Sequence, residues 1–338
     1  MTELSRPDLF GDIAFLIRAY QLSQMLSVAA SLDLADRIHE QPRLADELAG
    51  ECGAHPAMLL RLIRALAAFG IFRVDAKGAV QHTAGSRLLR RDAVLTLHHA
   101  ARYRGMASNW AAWTKLEHTI RSGEPAFENV FGVASFAYLN QHPDEAELFN
   151  RFMQHSPDDR HNAVVEAYDF STAKTIADVG GGNGAFLATV LAAHPNMHGV
   201  LFDEETALAQ APGVLGPLAA RCSIVPGNFF AQIPKGQDVY VLSQILHDWN
   251  DERSVQILAN CRAAMRRDSR LLVIERVLID GGDPINYLSD MEMMVLFPGA
   301  KERSLDEYSQ LFAAAGVAPG RLIHTRSPFS IVETTPGN

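Results

Sequence analysis

A histidine and two glutamates offer the most reactive chemistry in this chain. His247 follows the apolar run 238–243, Glu275 ends the run 270–275, and Glu302 stands in Gly299-Ala300-Lys301-Glu302-Arg303. An imidazole with an ordinary pKa of about 6.5 is the natural side chain to take a proton near neutrality. A carboxylate beside it can orient the ring and stabilise its charged form, which makes a general base. Asp290, in Leu288-Ser289-Asp290-Met291, is a rival for the second acid. The chain has 13 histidines, so His247 is singled out by its place just past a strand. Open α/β sheets bind their ligands at that end of the strands.

A second constellation reads as a nucleoside pocket. Residues 176–179 are a short run ending in Asp178-Val179, followed by Gly180-Gly181-Gly182-Asn183-Gly184 and an amphipathic stretch through Leu191. That order is strand, tight turn, helix, and glycines let the backbone adopt φ > 0 and a ligand approach closely. The next strand, residues 199–203, ends in Asp203, about 20 residues on, where an acid grips ribose hydroxyls. Gly180, Gly182 and Ala185 also satisfy a dinucleotide fingerprint, so a NAD-dependent oxidoreductase is an alternative. Asp178 weighs against it. The acid would repel a pyrophosphate, whereas it could pair with the amino-acid end of S-adenosylmethionine.

The elements that must carry these groups follow from periodicity. Residues 13–30 predict a long apolar helix, too apolar to stand alone in water, which covers a core or meets a second subunit. Residues 32–90 read as a winged helix, with helices over 34–38, 43–49 and from Pro56 to Phe69, then a hairpin over 71–74 and 79–82. Such a unit can bind DNA. A net charge of −9, with no basic residues massed along one helical face, favours a structural dimer module instead. Residues 95–119 predict more helix with Met106, Trp110 and Trp113, residues 124–132 a loop, and residues 135–167 helix again. From residue 176 onward strands and helices alternate, which predicts a mostly parallel α/β sheet with helices on both faces. The division expected is 1–167 and 168–338. Met153, Met291 and Met294 are residues more often found in cores, yet with Trp110 and Met106 they suit a soft wall for a planar acceptor. Three scattered cysteines make neither a disulfide framework nor a zinc spacing, and fit a reducing, cytoplasmic setting. No signal-peptide core and no membrane-spanning run is expected, and no metal-ligand cluster is read from the spacing.

The motifs Leu148-Phe149-Asn150-Arg151-Phe152-Met153, Asp178 to Gly184, Phe202-Asp203, Gly227-Asn228-Phe229-Phe230, Leu246-His247-Asp248-Trp249 and Lys301-Glu302-Arg303 together resemble the S-adenosylmethionine-dependent O-methyltransferases of the plant caffeate and bacterial antibiotic-tailoring type. The resemblance covers nearly the whole chain. It implies a winged-helix dimerisation domain before a Rossmann-like catalytic domain, a homodimer, and a small aromatic or polyketide-like acceptor, with no nucleic acid, membrane or metal. It implies that Gly180 and its neighbours meet the methionine end of the cofactor, Asp203 the ribose, and Asn228 and Phe229 the adenine. Ser243 and Ser156 lie beside the cofactor, Met153 approaches the substrate, and His247 is the base flanked by Glu275 and Glu302. Family members carry Asp where Asn228 stands, so the adenine amino group would meet the amide oxygen. Plant members carry Lys where Ser243 stands. The fold also supports C- or N-methylation, hydroxylation, decarboxylation or pericyclic work with the same cofactor.

Overall fold

The computed structural model describes residues 9–154 and 159–337. Its packing divides into two units, one of residues 1–115 with 130–157 and one of residues 116–129 with 158–338. The helix Arg160–Ala167 therefore lies with the second unit.

The first unit opens with the helix Leu9–Ser31. Leu34–Arg37, Ala45–Cys52 and Pro56–Ala68 follow, the last with its proline in the first turn, where a missing N–H costs nothing. Leu34, Ile38, Leu48, Ile63, Leu66 and Phe72 form their shared core. The hairpin Phe72–Val74 and Ala79–His82 is joined by a third short strand, Arg43–Leu44, opposite Val80 and Ala79. Helix was expected from residue 43. Leu44 is extended instead, its pairing taking precedence over helix propensity, and the helix begins at Ala45. One expectation needs correction: residues 11–31 are long and apolar enough, by length and composition, to cross a membrane, despite Asp12 and Arg18. A helix of this kind also serves as a core or interface helix.

The second unit is built on a seven-stranded sheet. In chain order its strands are β1 (Thr175–Val179), β2 (His198–Asp203), β3 (Cys222–Pro226), β4 (Val239–Ser243), β5 (Arg270–Glu275), β6 (Arg321–His324) and β7 (Ser330–Thr334). They lie side by side as β3-β2-β1-β4-β5-β7-β6. The first five are parallel, and β7 runs against both its neighbours. Alternate residues feed two cores, as period-two geometry demands. Ala177, Val179, Tyr240, Leu242, Leu271 and Val273 face one, while Ile176, Val239, Val241, Leu272 and Ile274 face the other. Burial on both faces explains why these strands read as unbroken apolar runs. The order reverses between β1 and β4, so the crevice at their carboxyl ends is the ligand position of an open α/β sheet. Residues 126–131, expected as loop, are helical (Ala126–Phe131), and Ala126 and Phe127 are buried.

Candidate active site

The glycine turn leaves β1 beneath the crevice. Gly180 and Gly182 have φ of 74° and 56°, a region that costs an ordinary L-residue about 1 kcal/mol or more. A Cβ on Gly180 would come within 2.4 Å of Ile245 Cδ1, whereas one on Gly182 would meet nothing within 4 Å. The backbone at Gly182 thus opens onto free space. Asp203, ending β2, accepts a hydrogen bond from Gly182 N–H through Oδ2 (2.8 Å) and from Glu204 N–H through Oδ1 (2.7 Å). Each oxygen keeps a lone pair for a ligand hydroxyl.

Asp178 is 1% exposed, and its Oδ2 is buried without a hydrogen-bond partner. Burial, with the Asp203 charge adding to it, pushes its carboxyl up to about 7. An orphaned acid beneath the turn and open space at Gly182 both fit a nucleoside cofactor with a cationic amino-acid end. The Phe229 ring stands 3.6 Å from the Cβ position of Gly180 and meets Trp249 edge-on. The Asn228 amide oxygen accepts from Phe230 N–H at 2.8 Å, so the atom expected to receive adenine's amino group already has one partner. Asp203→Ala removes an acceptor from both the turn and the ligand. Cofactor Kd, read by titration calorimetry, is expected to weaken about ten- to a hundredfold.

Past β4, the backbone at Gln244 adopts φ 56°, unusual for a residue with a side chain. This turn aims the N–H groups of Ile245 and Leu246 at one oxygen, Glu275 Oε1, at 3.0 and 2.9 Å. Glu275 ends β5, fully buried. His247 follows in the short helix Leu246–Asp248 and is 8% exposed. Its Nδ1 lies 3.2 Å from Glu302 Oε1 and 3.7 Å from Glu275 Oε2, and its Nε2 lies 3.5 Å from Asp248 Oδ1. Glu302 arrives from 55 residues away because Arg303–Ser304 pairs in parallel with Val277–Leu278, just beyond β5. Asp290, the rival acid, stands one step back. It lies on the helix Pro284–Leu296 and accepts from Glu302 N–H at 3.0 Å, so it holds the glutamate.

The electrostatics follow from this crowding. Burial alone would depress the imidazole, but the charges of Glu275, Asp248 and Glu302 and the Glu302 hydrogen bond outweigh it and raise His247 well above its ordinary value. Burial also raises Glu275 and Asp248 above the ordinary carboxylate range. Glu275 Oε2, Glu302 Oε2 and the Tyr308 hydroxyl are buried without hydrogen-bond partners. The chain therefore does gather metal-type donors, contrary to the expectation from spacing. The donor atoms of His247, Glu275 and Glu302, and separately those of Asp33, Asp36 and His98, lie within 4.8 Å of one another. Charge-coupled imidazole and carboxylates of the first kind are equally the parts of a proton-transfer site.

The remaining expected residues are more dispersed. Ser243 ends β4 opposite Ile274, half-buried. Met291 and Met294 lie half-buried on the Pro284–Leu296 helix. Met106 is buried in the first unit beside Tyr103 and Leu139, Trp110 meets Tyr20 edge-on, and Met153 is 36% exposed near the end of Pro143–Gln154. Ser156 lies outside the described residues. Asp248 and Arg303 stood in quoted motifs without an assigned role, and Gln244 and Tyr308 were not singled out at all. Asp248, adjacent to the histidine, and Arg303, adjacent to Glu302, had a local signal; Gln244 and Tyr308 had none.

Known proteins resemble this chain in sequence and in fold. The family model of the O-methyltransferase dimerisation domain matches residues 15–92, and that of the O-methyltransferase domain matches residues 113–318. A phenazine O-methyltransferase of Lysobacter antibioticus is 39% identical, covering 95% of this chain and 94% of its own. An O-demethylpuromycin O-methyltransferase of Streptomyces alboniger is 38% identical, over 96% and 88%. A solved O-methyltransferase from neocarzinostatin biosynthesis is 34% identical with a TM-score of 0.78, over 93% and 95% of the two chains. That structure holds S-adenosylmethionine and 2-hydroxy-5-methyl naphthoic acid.

Proposed function

The chain belongs to the S-adenosylmethionine-dependent O-methyltransferases that carry a dimerisation domain, and from that premise we propose that it methylates a hydroxyl on a small aromatic or polyketide-like natural-product acceptor, with His247 as general base. The observation that carries the reading is the buried imidazole whose Nδ1 faces Glu302 at 3.2 Å and Glu275 at 3.7 Å. When bound, the cofactor supplies an electrophilic methyl group on a sulfonium. Asp203, Asn228 and Phe229 would hold its nucleoside, with Gly180, Gly182 and Asp178 near its amino-acid end and Ser243 beside it. Glu302 fixes Nδ1 as the donor side of the ring, which leaves Nε2 to receive the proton of the acceptor hydroxyl. Asp248, Glu275 and Glu302 then stabilise the imidazolium. General-base action of this kind is worth about a hundred- to ten-thousand-fold, and positioning the reactants supplies much of the rest.

The acceptor class is supported by the relatives, among them the naphthoate-bound enzyme. Met153, Trp110, Met106, Met291 and Met294 are our candidates for its apolar wall. The second unit is read as catalytic and the first as a homodimer module. On the helix Leu9–Ser31, Phe15, Leu16, Ile17 and Tyr20 are 50–70% exposed, an apolar stripe that a second copy would cover. Cys52, Cys222 and Cys261 are free, which supports a reducing compartment such as the cytoplasm. The test is a panel of hydroxylated and aminated phenazines and naphthoates, incubated with cofactor and read by mass spectrometry. One methyl gained on oxygen is expected. Methyl gain confined to nitrogen or carbon, or none across the panel, would overturn the reading.

A further inference from the structure

Arg303 stands next to Glu302, and among the described residues it heads the fully buried side chains by volume. Its guanidinium makes no hydrogen bond to His247 or to either glutamate. Instead, Nη1 donates to Leu246 O (2.7 Å), Nη2 donates to Trp249 O (2.8 Å) and Asp251 Oδ1 (2.8 Å), and Nε donates to the same Asp251 oxygen (3.1 Å). The two carbonyls bracket His247 in sequence. On the other side of Glu302, Lys301 N–H donates to His247 O at 2.9 Å, and Lys301 Nζ reaches Asp251 and Glu307. The residues flanking Glu302 are thus stitched to the residues flanking His247.

We propose that Arg303 is a positioning residue for methyl transfer, a planar fork that sets the Glu302 carboxylate against the His247 ring by clamping the 246–251 backbone. The chemistry of the side chain fits the task. A guanidinium offers five donors in a rigid plane and holds two carbonyls and a carboxylate at once, which an ammonium cannot reproduce. Buried without such partners its charge would be left uncompensated, so the clamp is kept closed by its own desolvation. The charged groups facing His247 are Glu275 from β5, Asp248 from its own short helix and Glu302. Arg303, Lys301 and Asp251 act behind them through the backbone. A displacement of about 1 Å at such a base costs about a hundredfold in rate.

The inference deepens the general-base reading and rests on it for its meaning, but not for its test. Arg303→Lys and Asp251→Asn are each compared with the parent protein. Three things are read: cofactor Kd by calorimetry, kcat and acceptor KM, and the titration of His247 by NMR of ring-labelled histidine in cofactor-free protein, assigned with a His247→Gln control. For Arg303→Lys the expected result is cofactor Kd within about twofold of the parent, KM little changed, and kcat lower by about ten- to a hundredfold. His247 should titrate about one pH unit lower as Glu302 loosens. Asp251→Asn moves kcat and titration in the same direction but less, because the two carbonyl bonds remain. A folded Arg303→Lys protein with the parent's His247 titration overturns the inference, as does loss of thermal stability with no change in titration. If Arg303→Lys does not fold, Asp251→Asn decides, and an unmoved titration in it counts against the clamp. The NMR readout separates the two claims: a shifted His247 in a protein that transfers no methyl group would sink the proposed reaction and leave the clamp standing.

Discussion

His247→Ala is expected to lower kcat at least about a hundredfold while cofactor Kd stays within about twofold of the parent. The ring is the group placed to take the proton, and its polar partners are Glu302, Glu275 and Asp248, not the glycine turn or Asp203, which are assigned to the cofactor. Steady-state rates and calorimetry on one preparation check both halves. Equal turnover in mutant and parent would remove His247 from the role. The parent's pH profile carries the same logic. Only the neutral ring can accept a proton, and three carboxylates hold the folded-state value well above 6.5. The rate should therefore climb with pH through the neutral and mildly alkaline range, without levelling just above 6.5. Glu302→Gln withdraws one charge and should move that rise to lower pH. The linkage to stability has the opposite sign. A histidine whose value is raised on folding contributes stability that is complete below its unfolded value of about 6.5, and that contribution fades as pH rises through the folded value.

Glu275 should separate two functions when substituted. Its Oε1 satisfies the N–H groups of Ile245 and Leu246 at 3.0 and 2.9 Å, while its Oε2 faces His247. Glu275→Ala strands two buried donors, each costing about 1–3 kcal/mol, and opens a cavity besides. A total loss of about 3–5 kcal/mol is expected in the urea unfolding curve. Glu275→Gln keeps an oxygen for both donors, so its stability should stay within about 1 kcal/mol of the parent. It removes a charge from the imidazole's surroundings and should shift the rate profile toward lower pH. If alanine and glutamine prove equally stable, the bonds to Ile245 and Leu246 contribute nothing, and the account of how the turn at Gln244 presents His247 fails with them.

The parts of the fold visible in the chain are those encoded over a few residues. The apolar runs that became β1, β4 and β5 are continuous because both faces of a parallel sheet are covered. The glycine cluster punctuates β1 because only glycine enters the left-handed region at little cost. Asp203 and His247 could be singled out because one ends a strand and the other follows just past one, on the ligand side of the sheet. Glu302 stood out as an acid on the ligand side, and resemblance to a known family added its role as a flanking acid of His247. Residues 126–131, read as loop, are a short helix whose buried Ala126 and Phe127 left no long periodic signal.

Tertiary structure decided the rest. Whether Asp290 or Glu302 would meet His247 turned on the parallel pairing of residues 277–278 with 303–304, a contact with no local periodicity. Asp178 could be read as a partner for the cofactor's amino-acid end, but the burial of its unpartnered Oδ2 arises only once the turn folds over it. Arg303 stands in a motif beside Glu302, but its enclosure by two carbonyls and Asp251 exists only in the fold. Hydrophobic period and turn chemistry act between neighbours in sequence, so they can be read along it. Distance between 247 and 302, and the dielectric each side chain ends up in, arise only when the closed chain excludes water.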